Sequence, residues 1–215
     1  MLTQKLPVSN PVNQQHDQKN GSSSAGAATD TSPTTTTTSS STASQPHPPR
    51  DHIHIDPSQL VLTPADHEML REAEHLKTRT LDYMVAPLED IFDWDDLGRR
   101  LKSDGEWFVV AFRSIRSASA DNELLFNADR MAHEEAKHSG GLLKYWYASL
   151  NERRECLAMC IWANRSWALL ANKKPHHREA AKLAAVMYDS YILERYSLKK
   201  TGTKITLEKL PMRHH

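Results

Sequence analysis

Trp107-Phe108-Val109-Val110-Ala111-Phe112 is an unbroken run of aromatic and β-branched residues, and such a run predicts a β-strand. Three later segments have a similar composition and predict further strands, at residues 142–147, 156–162 and 193–198. Beyond the last of them, Ile205 and Leu207 are expected to return as a hairpin across the turn at Thr201-Gly202.

Helical patterns separate these strands. Residues 121–138 carry one apolar stripe, and Gly140-Gly141 ends it. Residues 164–173 predict a short helix, and Pro175 opens a longer one whose apolar residues keep helical spacing as far as Tyr191. The resulting order is β-α-β-β-α-β, so the sequence predicts an α+β fold of the ferredoxin-like, split βαβ type over residues 105–215.

The chain ahead of these strands divides into two parts. Residues 1–49 are rich in Ser, Thr, Gln, Asn and Pro and predict a disordered tail, because little there can be buried to offset the entropy of ordering it. Residues 50–104 are expected to hold two helices and to join the same domain. The first begins at Thr63-Pro64-Ala65-Asp66, a good cap, and its apolar spacing extends to Leu81; the second covers residues 88–101.

Both faces of the predicted sheet are apolar. Alternate residues of a strand point to opposite faces, and on the first strand Val109 and Val110 lie on different sides. A ferredoxin-like sheet has its own helices on one face only, so the second face must also be covered. Either the N-terminal helices or a second copy of the chain could cover it, and the sequence analysis favours a homodimer.

Charge and composition exclude several broad classes. Lys plus Arg and Asp plus Glu both number 27, so the zero net charge offers no general attraction for nucleic acid or for an anionic membrane. No stretch approaches the roughly 20 apolar residues of a membrane span, and no targeting segment is evident. Cys156 and Cys160, about 13 Å apart on one strand, cannot bridge each other, which favours a protein of the cytoplasm or nucleus.

Several motifs superficially resemble metal or phosphate sites, but their spacing does not fit such sites. The two histidines of His133-Glu134-Glu135-Ala136-Lys137-His138 are five residues apart and so do not share a helix face; a solvated helix surface is predicted there. Residues 93–104 depart from a calcium loop at two ligand positions. His52, His54 and Asp56 share one face of an extended segment but follow no spacing rule for a metal. No glycine-rich phosphate loop is found, and neither a metal nor a cofactor is predicted.

One string of motifs resembles a known superfamily. Ile161-Trp162-Ala163-Asn164-Arg165-Ser166-Trp167-Ala168, followed by Pro175-His176-His177 and then Leu193-Glu194-Arg195-Tyr196, is similar to the dimeric α/β-barrel group that includes small antibiotic-biosynthesis-type monooxygenases. More closely, the chain resembles a family of uncharacterised fungal proteins, in Arg50-Asp51-His52-Ile53-His54 and in Leu142-Leu143-Lys144-Tyr145-Trp146-Tyr147 among others. That second resemblance implies no activity.

The monooxygenase resemblance implies a pocket between sheet and helices for a small aromatic ligand, with no metal or flavin. It suggests His176 or His177 as a general base and Asn164 or Arg165 as the group that stabilises an oxyanion. The side chains implied for substrate binding are Arg113, Tyr145, Tyr147 and Trp162. Two hypotheses stay open: a small-molecule-binding or cofactor-independent oxidative enzyme, and a noncatalytic interaction module with an open sheet face and a regulatory tail.

Overall fold

The computed structural model describes residue 58 and residues 60–211. The predicted disorder of residues 1–49 and the extended segment of His52, His54 and Asp56 lie outside these residues. The described elements are α1 (Pro64–Glu72), a 3₁₀ turn (Ala73–His75), α2 (Leu88–Ile91), α3 (Trp94–Arg100), β1 (Gly105–Arg116), α4 (Asn122–Ser139), β2 (Leu142–Tyr147), β3 (Glu155–Trp162), α5 (Arg165–Asn172), α6 (Pro175–Met187), β4 (Tyr188–Thr201) and β5 (Lys204–Lys209).

The five strands form one antiparallel sheet in the order β2-β3-β1-β4-β5. Strand β3 lies between β1 and β2, which is the split arrangement, and β4 pairs with the other side of β1. The ferredoxin-like fold is therefore confirmed. Strand β5 adds the predicted hairpin at the edge, with Gly202 at φ +61° in the turn.

The N-terminal helices cover one face of the sheet. Apolar side chains of α1, α2 and α3 share a single core with alternate residues of the strands, among them Val109, Met159 and Leu198, all fully buried. Asp66 completes the α1 cap with Thr63, and its Oδ1 also accepts a hydrogen bond from Trp107 Nε1 at 2.9 Å. The second apolar sheet face, for which the sequence analysis favoured a homodimer, is thus covered by the N-terminal helices of the same chain.

The buried Glu68 carboxylate connects α1 to the loop before β1. The Glu68 side chain accepts the backbone N–H groups of Lys102 at 2.7 Å and Ser103 at 2.9 Å. Burial acts to raise the pKa of Glu68, but these N–H groups, the Ser103 side chain and the Arg71 charge together lower it, and the net pKa lies below its ordinary value. Glu68 is therefore a paired carboxylate at neutral pH.

Two predicted helix boundaries were wrong. The first N-terminal helix ends at Glu72 rather than running on to Leu81, which is 78% exposed in a loop. The long helix from Pro175 ends at Met187, so Tyr188 and Tyr191 belong to β4. Both tyrosines pair with β1, because tertiary strand pairing outweighs the local helical spacing. The predicted second helix, over residues 88–101, is split into α2 and α3.

Candidate functional site

A cavity of about 340 Å³ lies between the sheet and helices α4 and α6. Its helical wall consists largely of small residues, and these alanines are Ala128, Ala132 and Ala136 on α4 and Ala180, Ala181 and Ala184 on α6. Alanines at helical spacing leave space where larger side chains would fill the interior, and the core cluster on this face is accordingly small. The volume falls in the range of small-molecule sites.

Aromatic rings form much of the opposite wall. Phe112 and Tyr191 lie with ring centroids 6.0 Å apart, and Tyr191 lies 5.8 Å from Tyr188. Across the cavity, the rings of Tyr145 and Tyr147 are 5.7 Å apart. Such a wall offers flat apolar surfaces to a planar ligand.

The mouth of the cavity carries apolar side chains. Four aromatic or aliphatic residues of the lining are exposed there, Phe126 at 50%, Tyr147 at 59%, Leu150 at 39% and Tyr191 at 45%. The polar residues Asp129, Ser149 and Asn172 of the same lining are exposed as well.

An acidic group faces the cavity from the middle of α4. The Tyr145 hydroxyl donates a 2.8 Å hydrogen bond to Asp129 Oδ1, and the His133 ring lies 4.7 Å from that of Tyr145. Burial raises the pKa of Asp129, and burial together with the nearby Asp129 charge raises that of Tyr145 far above its ordinary value. Asp129, Tyr145 and His133 thus form one hydrogen-bonding and titratable cluster, in which Tyr145 keeps its proton.

A second imidazole enters the cavity from the start of α6. The Glu135 carboxylate accepts the backbone N–H groups of His176 at 3.3 Å and His177 at 3.1 Å, and so caps a helix whose own N-cap, Lys174, provides no side-chain bond. Glu135 Oε2 lies 3.5 Å from His177 Nδ1. Because Nδ1 faces this carboxylate, Nε2 on the other side of the ring is the nitrogen available to a ligand.

Burial holds both cavity imidazoles in the neutral form. It lowers the pKa of His177 despite the opposing effect of Glu135, and it lowers the pKa of His133 with help from the Lys137 charge. A neutral imidazole can accept a proton at pH 7, which is the requirement for a general base.

The two cysteines also face this cavity and are free thiols. Burial raises the pKa of both Cys156 and Cys160, so neither is a thiolate at neutral pH. This agrees with their interpretation as unreactive residues of a strand. Among residues 58 and 60–211, no group of three His, Cys, Asp or Glu side chains is arranged to hold a metal ion.

The structure brings four of the predicted site residues together. Tyr145, Tyr147, Trp162 and His177 all line the cavity. Their chemical roles stay predictions.

The other four predicted site residues, Arg113, Asn164, Arg165 and His176, lie outside the lining of this cavity. Arg113 is on the opposite face of the sheet, where its Nε donates to Glu194 Oε2 at 2.8 Å. Asn164 caps α5, Arg165 is exposed, and the exposed His176 lies outside the cavity wall. Strand parity explains Arg113, which has the same orientation as residues that face the N-terminal helices.

Sequence reasoning missed three residues of the site, Asp129, His133 and Glu135. His133 is half-buried against Tyr145 rather than on a solvated surface, whereas His138 of the same motif is exposed as predicted. The available signal was the spacing of Asp129 and His133, i and i+4, which places them on one side of the helix beside the alanines.

The match to known proteins covers most of the chain. Residues 45–209 match the model of the PB2B2.08-like family. The chain belongs to this family. A member from the fission yeast Schizosaccharomyces pombe, UPF0643 protein PB2B2.08, is 34% identical over 98 residues, which is 43% of this chain and 44% of that protein. The predicted resemblance to a fungal family is therefore confirmed.

Solved structures are similar in chain trace at low identity. A conserved protein from Methanosarcina mazei Go1 has a TM-score of 0.39 at 14% identity, over 44% of this chain and 93% of that one. A putative antibiotic biosynthesis monooxygenase from Nitrosomonas europaea has 0.37 at 15%, over 41% and 95%. SnoaB, a cofactor-independent oxygenase from Streptomyces nogalater, has 0.37 at 9%, over 46% and 97%. None of the helices in the described part of the chain has the length and apolar character of a membrane span.

Proposed function

We propose that this protein binds a flat, largely apolar small molecule in the cavity and oxidises it with molecular oxygen, without a metal or flavin. The observation that carries the proposal is a neutral imidazole, His177, in the wall of an aromatic-lined cavity of about 340 Å³. Such a cavity with few polar groups is typical of a small-molecule site. The reaction class comes from the sequence resemblance to small monooxygenases.

The chemistry requires one base and an oxidisable ligand. His177 Nε2 accepts a proton from a ligand CH₂ group that is flanked by a carbonyl-conjugated ring system, leaving a stabilised carbanion. The carbanion transfers one electron to O₂, and the two radicals join to form the C–O bond of a peroxide, which takes up a proton. Loss of water, with the second hydrogen of the CH₂ group, yields a carbonyl. The balance is R₂CH₂ + O₂ → R₂CO + H₂O.

Glu135 acts as a positioning residue in this scheme. Burial acts to raise the pKa of Glu135, but the backbone N–H groups and the side chains of His176 and His177 together lower it below its ordinary value. Glu135 is therefore a carboxylate at neutral pH. A carboxylate beside Nδ1 favours the tautomer with the proton on Nδ1 and leaves Nε2 as the acceptor. The same charge stabilises the imidazolium that forms when the ligand loses its proton.

The test uses anthrone as the probe ligand, because its CH₂ group lies between two rings and opposite a carbonyl. Binding is measured by calorimetry, and oxidation to anthraquinone by absorbance together with oxygen uptake. We expect His177→Ala to lower the rate by about 10²–10⁴-fold, the usual contribution of a general base. His176→Ala is the matched control, since the neighbouring imidazole is exposed and outside the cavity wall. Equal rates for the two variants, or no binding of anthrone, would contradict the proposal.

The second candidate function, a noncatalytic interaction module, depends on the apolar mouth. The sheet face first suggested for a partner is covered by α1, α2 and α3, so the mouth residues Phe126, Tyr147, Leu150 and Tyr191 are the surface that would serve. A homodimer closed over this mouth remains a proposal. Light scattering of the full chain, with and without anthrone, separates the cases: a dimer that Phe126→Ser dissociates would favour assembly through the mouth.

A further inference from the structure

We propose that the ligand of this cavity carries a protonated amine, which pairs with the carboxylate of Asp129. This inference rests on the proposed binding function and names the class of ligand. It follows from the partners of Asp129, from the rings around it and from the position of the other charges in the cavity wall.

Among residues 58 and 60–211, the Asp129 side chain has a single hydrogen-bond partner. The Tyr145 hydroxyl donates to its Oδ1 at 2.8 Å, and among the described residues no cationic nitrogen lies within 4.0 Å of either carboxylate oxygen. A carboxylate can accept about four hydrogen bonds, and the Tyr145 hydroxyl supplies one of them. Asp129 is an exposed member of the cavity wall, so a ligand can reach its oxygens, and a carboxylate binds a cationic donor more strongly than a neutral one.

The rings near Asp129 are suited to a cation. Tyr145 holds the carboxylate and is itself followed by Tyr147 at 5.7 Å, while Tyr188 and Tyr191 form a second pair elsewhere in the same cavity. The faces of such rings attract an ammonium group through their electron-rich centres. An aromatic amine could therefore place its ring against the apolar wall and its nitrogen at Asp129.

The cationic side chains that line the cavity form no ion pair with Asp129 in the described part of the chain. Arg116 also lines the cavity, but its Nη1 donates to Asn122 Oδ1 at 2.9 Å at the start of α4. Asn122 lies seven residues before Asp129, which is about 10 Å along the helix axis. His133 and His177 are the other titratable bases that face the cavity, and burial lowers the pKa of both. Burial raises the pKa of Asp129, while the Tyr145 hydroxyl and the charges of His133, His177 and Arg116 act to lower it.

Three probes with the same naphthyl ring test the inference: 2-(1-naphthyl)ethylamine, 2-(1-naphthyl)ethanol and 3-(1-naphthyl)propanoate. Calorimetry on the full chain at pH 7 should show the amine binding at least tenfold more tightly than the alcohol, with the carboxylate weakest. Asp129→Asn should remove this tenfold preference and leave alcohol binding unchanged. Glu123→Gln, which neutralises an exposed carboxylate in the first turn of the same helix, should leave all three affinities unchanged.

The outcomes separate this inference from the proposed function. Equal affinities, a preference for the carboxylate, or an amine preference that survives Asp129→Asn would each overturn the amine subsite, while anthrone binding would still support the cavity as a ligand site. Failure of anthrone and of all three naphthyl probes to bind would overturn both proposals.

Discussion

Replacing Phe92 with alanine tests whether the N-terminal helices and the sheet form one cooperative core. The Phe92 ring is fully buried and makes edge contacts with Trp94, at 5.4 Å between centroids, and with Trp146 of β2, at 4.9 Å. Burial of the side chain contributes about 1.5–3 kcal/mol. Each aromatic pair adds about 0.5–1.5 kcal/mol. We therefore expect the free energy of unfolding to fall by about 3–5 kcal/mol, as is usual for a buried phenylalanine.

Urea denaturation followed by tryptophan fluorescence and by circular dichroism measures this loss. With a slope of about 2 kcal/mol per molar urea, the midpoint should fall by about 1.5–2.5 M. Phe126→Ala is the control, because that ring is half-exposed at the cavity mouth; its cost should be about 1 kcal/mol or less. A Phe92→Ala midpoint within about 0.5 M of the wild type, or a separate early transition confined to the N-terminal helices, would refute the single shared core.

Three further substitutions have defined outcomes. Arg113→Met should destabilise the fold by about 1–3 kcal/mol in urea, because the Tyr83 and Ala86 carbonyls lose their donor while the buried Glu194 keeps Lys209 as a cationic partner. Anthrone affinity should not change, since Arg113 is on the face away from the cavity; a loss of affinity at unchanged stability would restore its predicted substrate role. Glu68→Gln should lower the urea midpoint at pH 7. The net pKa of Glu68 is lowered on folding, so its contribution is present above its unfolded pKa near 4.5 and disappears as the pH falls through the folded value; a difference that persists at pH 3 would contradict this reasoning. Gly141→Ala should cost about 2–4 kcal/mol by thermal or urea unfolding, because φ is +73° and a Cβ atom would lie 2.1 Å from Trp167 Cγ; a change under 0.5 kcal/mol would contradict it.

The strand order and the helix between β1 and β2 could be predicted because their local signals agree with their tertiary environment. Asp121 caps α4, Gly140 ends it with φ +83°, and β2 covers the predicted residues 142–147. Apolar residues on both faces of β1 and β3 also predicted a covered second face, and the structure confirms it. Where the cap, the stripe and the turn all indicate the same element, sequence and structure coincide.

The boundary between α6 and β4 could not be predicted, because local spacing and pairing conflict there. Ala184, Tyr188 and Tyr191 keep a helical spacing, but Tyr191 lies opposite Ser114 of β1 and extends the ladder by several residues. Apolar residues at helical spacing over one turn favour a helix only weakly. Backbone hydrogen bonds to the neighbouring strand favour the extended conformation more strongly. Because of this wrong helix boundary, the sequence analysis did not place Tyr188 and Tyr191 at the site, although both line the cavity.

Only part of the site could be predicted, because the cavity is formed by alanines, whose side chains carry no reactive group that a sequence motif could reveal. Alanines on α4 and α6 identify the cavity only once the two helices are known to face the same side of the sheet, and that arrangement arises from the topology. The aromatic residues Tyr145, Tyr147 and Trp162 could be named because the monooxygenase resemblance implied them as substrate-binding residues, and all three line the cavity. Asp129 and His133 could not, because on an isolated helix a carboxylate and an imidazole are typical of a solvated face.

The two faces of the sheet are packed differently, and this difference explains the position of the cavity. On one face the N-terminal helices supply large apolar side chains, such as Met69, Ile91 and Phe92, and the core there is filled. On the other face, α4 and α6 supply alanines, and the core is left incomplete around the cavity. Stability therefore depends mainly on the first face, so the second can keep an open cavity with titratable groups in its wall. A protein organised in this way should tolerate substitutions of Asp129 or His177 with little loss of stability, and this tolerance allows those residues to be tested for function.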